Sequence, residues 1–293
     1  MSTSNPARSI AFQGEPGANS DIACRAVFPR MTPLPCRTFE DAFAALREKR
    51  AALAMIPIEN SVAGRVADIH SLMPNSGMHI IGEHYQRVEH CLVATKDASL
   101  KTIKVVRSHV HALAQCRNII RKLKLKAIVA ADTAGAAREI SELNDPTVAA
   151  ISSSLAAKIY GLQILKSNIE DADHNTTRFV IFSRTPKQPK PGAGPCMTSF
   201  VFRVRSVPAA LYKALGGFAT NGVNITKLES YISGAGFEVA EFYAEIEGHP
   251  KDKNVVLAME ELRFFSREVR IIGVYPANKF RRQGWDEPKT TGA

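Results

Sequence analysis

The chain has 293 residues, 38 Lys+Arg against 28 Asp+Glu for a formal net charge of +10, and is 45% hydrophobic and 23% charged. That balance excludes wholesale disorder, and the length suffices for about two domains, each with its own core. The Met1–Ile10 stretch has no apolar signal region, the run Ala51–Ile58 is broken by Pro57, and the cysteines (Cys24, Cys36, Cys91, Cys116, Cys196) form no CxxC pair, so a cytoplasmic protein without membrane span or disulfide framework is expected.

In chain order, Ser9–Phe12 reads as a strand closed by Gly14, Pro16 and Gly17, followed by a helix from Ser20 to Val27 that stops before Pro29. Thr38 and Asp41 form a capping box that opens a helix to Arg47, with Ala42, Phe43 and Leu46 on one face. Ala51–Ile56 returns as a strand. Further strands are expected at Met78–Ile81, Cys91–Ala94, Ile103–Val106, Ala127–Ala130, Val148–Ile151 and Phe179–Phe182. Helices are expected at Val66–Met73, His111–Leu123, Thr133–Leu143 and Leu155–Tyr160. Strands alternating with helices predict α/β layers.

Four prolines and two glycines between Thr185 and Pro195 make a linker. Beyond it the pattern is strand (Ser199–Arg205), helix (Ala209–Ala219), strand (Asn224–Ile232), strand (Phe237–Ile246), helix (Asn254–Phe265) and strand (Val269–Gly273), a ferredoxin-like βαββαβ order. The expected partition is 8–184, a linker over 185–197, a second domain over 198–275, and a mobile basic tail over 276–293.

Polar residues gather where strands of the first domain end, the places where open α/β sheets bind ligands. Gly14–Ser20 offers backbone N–H groups to an anion, or is only a turn. Glu59-Asn60-Ser61 offers a proton donor, an amide and a hydroxyl, or merely a cap. Ser108 reads as the cap of a helix that carries Gln115 two turns on. His109 and His111 have no acidic or cysteine ligand at matching spacing, so no metal is expected, and Cys116 reads as a buried, inert thiol. Thr177 and Arg178, at the entrance of a strand after Asn175, offer a hydroxyl donor and a carboxylate fork, or belong only to a satisfied turn. The basic residues are dispersed and accompany no recognition motif, so the positive field suits small anionic substrates and no nucleic-acid partner is expected.

Together these clusters resemble the monofunctional bacterial prephenate dehydratases, and the second domain resembles the ACT regulatory module that follows them. The matching pieces are Ile10-Ala11-Phe12 with the Gly14–Ser20 loop, Pro57–Ser61 with Gly64, Ser108-His109 with Ala112–Cys116, Tyr160-Gly161-Leu162, and Asn175 with Thr177-Arg178-Phe179. Leu211–Leu215 and Asn221–Ser230 match the regulatory part. Two places depart from the pattern: Glu229-Ser230 continues as Tyr231-Ile232 rather than Arg-Pro, and the usual Gly-Ala-Leu reads Ala209-Ala210-Leu211.

The resemblance implies a two-lobed α/β catalytic domain, similar to type II periplasmic binding proteins, with lobe crossovers near Val93–Lys101 and Asp171–Phe179. It implies loss of water and carbon dioxide from prephenate to give phenylpyruvate in phenylalanine biosynthesis, without cofactor. Thr177, Arg178, Glu59 and Asn60 are then the catalytic residues: Thr177 serves the leaving oxygen, Arg178 clamps a carboxylate, and a desolvated Glu59 is a candidate acid. Ser61, Ser108, Gln115, Asn175 and Phe179 are the expected substrate contacts. L-phenylalanine is the expected effector, held by Ala209, Ala210, Leu211, Asn221, Gly222, Asn224, Glu229 and Ser230 where ACT modules self-associate as a dimer or tetramer. Arogenate dehydration and a non-enzymatic sensor of aromatic metabolites are the rival readings.

Overall fold

A computed structural model describes residues 5–66, 69, 72–172, 174–205, 207–233 and 239–282. It comprises two compact units, Met1–Val66 with Gln86–Phe179, and Ala67–Tyr85 with Val180–Ala293. The expected single stretch 8–184 is therefore divided, with 67–85 and 180–184 joining the C-terminal part. Of the expected helix at Val66–Met73, residues 67, 68, 70 and 71 lie outside the described residues.

The first unit begins with β1 (Ser9–Gln13), α1 (Asn19–Val27), β2 (Thr32–Cys36), α2 (Phe39–Arg47), β3 (Leu53–Asn60) and the short β4 (Gly64–Arg65). β1 lies between β2 and β3 and is parallel to both, and β4 folds back antiparallel on the end of β3. The Thr38 hydroxyl accepts from Asp41 N while the Asp41 carboxylate accepts from Thr38 N, so the capping box forms and buries Phe43 and Leu46. Each such side chain contributes about 1.5–3 kcal/mol through burial. β2 escapes the sequence pattern because Pro33 and Pro35 interrupt it; an edge strand tolerates them where their missing donors face away from the ladder.

β5 (His79–Arg87) carries the chain back from the second unit into the first. A second sheet follows, built from β6 (Cys91–Ala94), β7 (Val105–Ser108), β8 (Lys126–Val129), β9 (Val148–Ser152) and β10 (Gln163–Lys166), in the order β10-β6-β9-β7-β8. Its helices are α3 (Val110–Gln115), α4 (Arg117–Lys122), α5 (Thr133–Leu143) and α6 (Ser154–Ile159). Apolar clusters form on both faces, one around Leu92, Val106 and Ile151, the other around Val93, Ala137 and Ile140. The single helix expected over His111–Leu123 is two, broken at Cys116 (φ −127, ψ 32). Asp171 supplies the new start, accepting from Arg117 N at 2.8 Å and Asn118 N at 3.2 Å. β11 (Thr176–Ser183) follows, and it starts at the end of β3, where Ser61 N donates to Thr176 O at 2.9 Å.

The second unit contains β12 (Cys196–Val204), α7 (Ala210–Thr220), β13 (Ile225–Ser233), β14 (Val239–Glu247), α8 (Lys253–Phe265) and β15 (Ser266–Pro276). This is the expected β-α-β-β-α-β order, with spatial order β13-β14-β12-β15 and every pair antiparallel. Within this unit β15 is parallel to β5 at Gly273 and Ile80. A β-carbon at Gly273 would lie 2.7 Å from the Ile80 carbonyl oxygen, so only glycine permits that approach. The tail is not loose where it begins: a 3-10 turn spans Lys279–Arg282, and Arg281 pairs with Glu83 at 2.7 Å and Glu245 at 3.3 Å. Residues 283–293 lie outside the described part. Among the described residues, no helix is long and apolar enough to cross a membrane.

Candidate active site

Two short segments of the first unit join its sheets: residues 88–90 lead into β6, and residues 167–175 lead from β10 to β11. The first crossover therefore lies before, not within, the expected Val93–Lys101. The two segments are tied together, Val88 N donating to Asn175 O at 2.8 Å and Ile169 N to His90 O at 3.1 Å. His90 N in turn donates to Glu170 Oε2 at 3.0 Å.

A chain of side chains crosses this point, and its polarity follows from two backbone groups. Val62 N and Ala63 N can only donate, and both reach Asn60 Oδ1, at 3.0 and 2.7 Å. The other end of the Asn60 amide is thereby Nδ2, whose two hydrogens go to Asn175 Oδ1 at 2.8 Å and Thr177 Oγ1 at 2.9 Å. Asn175, with its oxygen accepting, presents Nδ2 to Gln115 Oε1 at 2.8 Å. The same Gln115 oxygen lies 3.0 Å from His90 Nε2, which must then carry the proton. His90 and Asn175 are 3% and 2% exposed, so these bonds form out of water, where they are strongest. Burial pushes the His90 imidazole below its usual pKa, against the Gln115 hydrogen bond and the Glu170 charge.

Because Thr177 Oγ1 accepts from Asn60, its own proton points elsewhere, and among the described residues it donates to none. The Gln115 amino group likewise has no acceptor among them. A half-buried hydroxyl and a carboxamide are thus presented as donors by a network that fixes their direction.

Several expected contacts have other duties. Asn60 has both amide hydrogens and both oxygen lone pairs on protein groups. Ser61 Oγ donates to His174 O at 2.6 Å and accepts from Thr176 N at 2.9 Å, a tie between the ends of β3 and β11. Ser108 is fully buried with its hydroxyl on Ile151 O at 2.7 Å, and His109 caps α3 in its place. Phe179, 1% exposed, belongs to the core. Successive strand residues face opposite ways, so Arg178 and Glu59 leave the face that carries Thr177 and Asn60. They meet each other at 3.0 Å, with Arg178 3% and Glu59 38% exposed, so the guanidinium already holds a carboxylate that stays partly open to solvent.

Part of the Gly14–Ser20 loop is tied to its surroundings, Gly14 N donating to Cys36 O at 2.9 Å and Ala18 N to Glu15 O at 3.0 Å. Gly17 N donates to Asp21 Oδ2 at 2.8 Å, while Ser153 and Tyr160 hydroxyls donate to the Gly17 and Pro16 carbonyls. Gly17 has φ +90, and a β-carbon there would lie 2.6 Å from Ala156 Cα, so the loop is a latch against α6. Burial pushes the Cys116 thiol far above its usual pKa, in keeping with an inert residue. No cluster of metal-ligating side chains occurs among the described residues.

In the second unit, Ala209 adopts φ +57, the left-handed backbone that glycine adopts readily, and caps α7. Ala210 is buried, and Leu211 packs on the core of this unit. Asn221 Nδ2 donates to Gly217 O at 2.8 Å, Gly222 has φ +62, and Asn224 Nδ2 donates to Glu247 Oε2 at 3.2 Å. Glu229 pairs with Lys227 at 3.2 Å and Ser230 is exposed. A cavity of about 500 Å3 in this unit is lined instead by residues such as Met197, Asp252, Asn278 and Arg281.

A family model described as prephenate dehydratase matches residues 10–187. The chain is 51% identical over 280 residues to a bifunctional N-acyl-homoserine lactone acylase/prephenate dehydratase of Komagataeibacter europaeus, covering 95% of this chain and 99% of that one. It is 37% identical to the chloroplastic arogenate dehydratase/prephenate dehydratase 1 of Arabidopsis thaliana, covering 93% of this chain and 73% of the relative. The solved structure of an Arthrobacter aurescens prephenate dehydratase in complex with L-Phe superposes with a TM-score of 0.84 at 30% identity, covering 92% of this chain and 90% of that one.

Proposed function

Since the chain belongs to the prephenate dehydratase family, and so is an enzyme of the dehydratase type, we propose that it converts prephenate to phenylpyruvate, with the Thr177 hydroxyl serving the departing oxygen. In this reaction the bond to the ring carboxylate breaks and its electron pair enters the ring. The ring C–O bond breaks with its pair on oxygen, and one proton must reach that oxygen for water to leave. Aromatisation drives the step, so the protein has to orient the substrate and stabilise the leaving oxygen.

The observation that carries this reading is the direction of the Thr177 hydroxyl: held as an acceptor by Asn60, it has its proton left for a ligand. Gln115 adds two uncharged donors for the substrate's oxygens, and Asn60 and Asn175 keep both in place. Arg178 with Glu59 supports β11 and β3 from the opposite face rather than gripping the dianion. The purified protein is expected to turn over prephenate, read as phenylpyruvate absorbance in alkali. Thr177→Ser should retain activity and Thr177→Val lose about 10²–10³-fold in kcat. Undiminished turnover by Thr177→Val overturns the reading.

Arogenate carries an ammonium where prephenate has a keto group. The amide donors around Thr177 suit the keto acid, so prephenate is assigned as the preferred substrate; a comparison of kcat/KM for the two decides. Release of homoserine lactone from an N-acyl derivative tests the second activity named for the relative from Komagataeibacter europaeus.

For the second unit we propose an ACT module that takes L-phenylalanine near Ala209–Leu211, Asn221–Asn224 and Glu229-Ser230. Support comes from the β-α-β-β-α-β order, the L-Phe complex of the relative, and the left-handed backbone kept at Ala209 without its glycine. β13 is the edge strand of this sheet and exposes Leu228, which suits side-by-side self-association. Calorimetric titration with L-phenylalanine at millimolar concentration should show uptake, and none overturns the assignment.

A further inference from the structure

We propose that His90 is a positioning residue for the dehydration, its buried Nε2–H holding the Gln115 carboxamide in the one orientation that turns both amide hydrogens toward the reacting molecule. The inference rests on the reading of Thr177 and its neighbours as the reaction site.

Gln115 ends α3 at the break before Cys116, so no following turn restrains it. Its carbonyl accepts from Asp171 N at 2.6 Å, which anchors the main chain. Its side chain has one acceptor with two lone pairs, and His90 and Asn175 fill both. Asn175 sets the direction, because a flipped Gln115 would set amide hydrogens of both residues against each other. His90 adds the second bond, and with it the torsional restraint that a single bond lacks. The residue is suited to this by its main-chain anchorage, with His90 N on Glu170 and His90 O on Ile169 N, two consecutive residues of the returning crossover. Burial keeps the imidazole neutral, so it orients Gln115 without adding a charge beside the neutral donors.

The test compares His90→Leu, His90→Gln and Gln115→Leu, with the double variant His90→Leu/Gln115→Leu. A glutamine carries its amide nitrogen near the place of His Nε2, whereas leucine fills the volume and donates nothing. His90→Leu should lower kcat about 10–100-fold with little change in thermal unfolding, and His90→Gln should recover to within about threefold of the native protein. The double variant should be no worse than Gln115→Leu, since the histidine acts only through the glutamine. Native activity in His90→Leu, equal impairment of His90→Leu and His90→Gln, or losses that multiply in the double variant would each overturn the proposal. If His90→Leu does not fold, His90→Asn replaces it: its shorter amide should fail where His90→Gln succeeds, and equal activity of the two overturns the proposal. Thr177→Val separates the levels. Loss there with His90→Leu intact refutes the histidine's role alone, whereas full activity there refutes the site itself.

Discussion

Asn60 and Thr177, 117 positions apart, are joined by a 2.9 Å hydrogen bond in which the asparagine donates. The direction of that bond, rather than its length, makes the threonine a donor to anything placed before it. Asn60→Asp keeps an acceptor for Val62 N and Ala63 N but cannot donate, so the Thr177 proton should turn back onto the new carboxylate. A fall in kcat of about 10²-fold or more, exceeding any change in KM, is expected from steady-state kinetics.

Glu59 lies across the strand from that bond, facing Arg178 at 3.0 Å. Glu59→Gln should therefore leave the shape of the kcat/KM profile against pH as in the native protein. A lost or displaced limb would return Glu59 to the reaction as its acid. Denaturant unfolding should show a cost of about 1 kcal/mol, because the carboxylate is partly solvated.

The lowered pKa of His90 also has a stability signature, caused first by burial. A histidine whose folded value is depressed stabilises fully above the unfolded value, about 6.5, and loses that contribution as pH falls below it and through the folded value. The native protein should thus weaken more steeply than His90→Gln on acidification from about pH 6.5, in urea titrations at matched ionic strength. Parallel curves would mean that the ring titrates normally.

Arg281 is 14% exposed, and its two partners, Glu83 and Glu245, are fully buried. Arg281→Met removes a cation shared by two carboxylates and should cost about 3–5 kcal/mol in denaturant unfolding. Adding Glu83→Gln to it should restore part of the loss, since one buried charge is then gone.

Much of the fold is legible in local pattern. The Thr38–Asp41 box, the helix Thr133–Leu143 and the β-α-β-β-α-β order of the second unit all form where the residues predict them, because caps and periodicity act over a few positions. β2 is hidden by prolines that only an edge position tolerates, and the break at Cys116 depends on Asp171, a residue 54 positions from Arg117. The candidate site is legible as a set of residues but not as a set of roles. Ser108, Phe179 and Ser61 stand at strand ends, yet spend their side chains on the fold. His90 carries no mark in its neighbourhood.

The amino-acid order by itself determined most of the strands and helices, and that hydroxyl and amide groups collect at the ends of β3 and β11. Only the tertiary structure decided which of those groups remain to be used. An amide is both donor and acceptor, and its direction at Asn60, Asn175 and Gln115 is settled by partners far away in the chain, beginning from two backbone N–H groups at Val62 and Ala63.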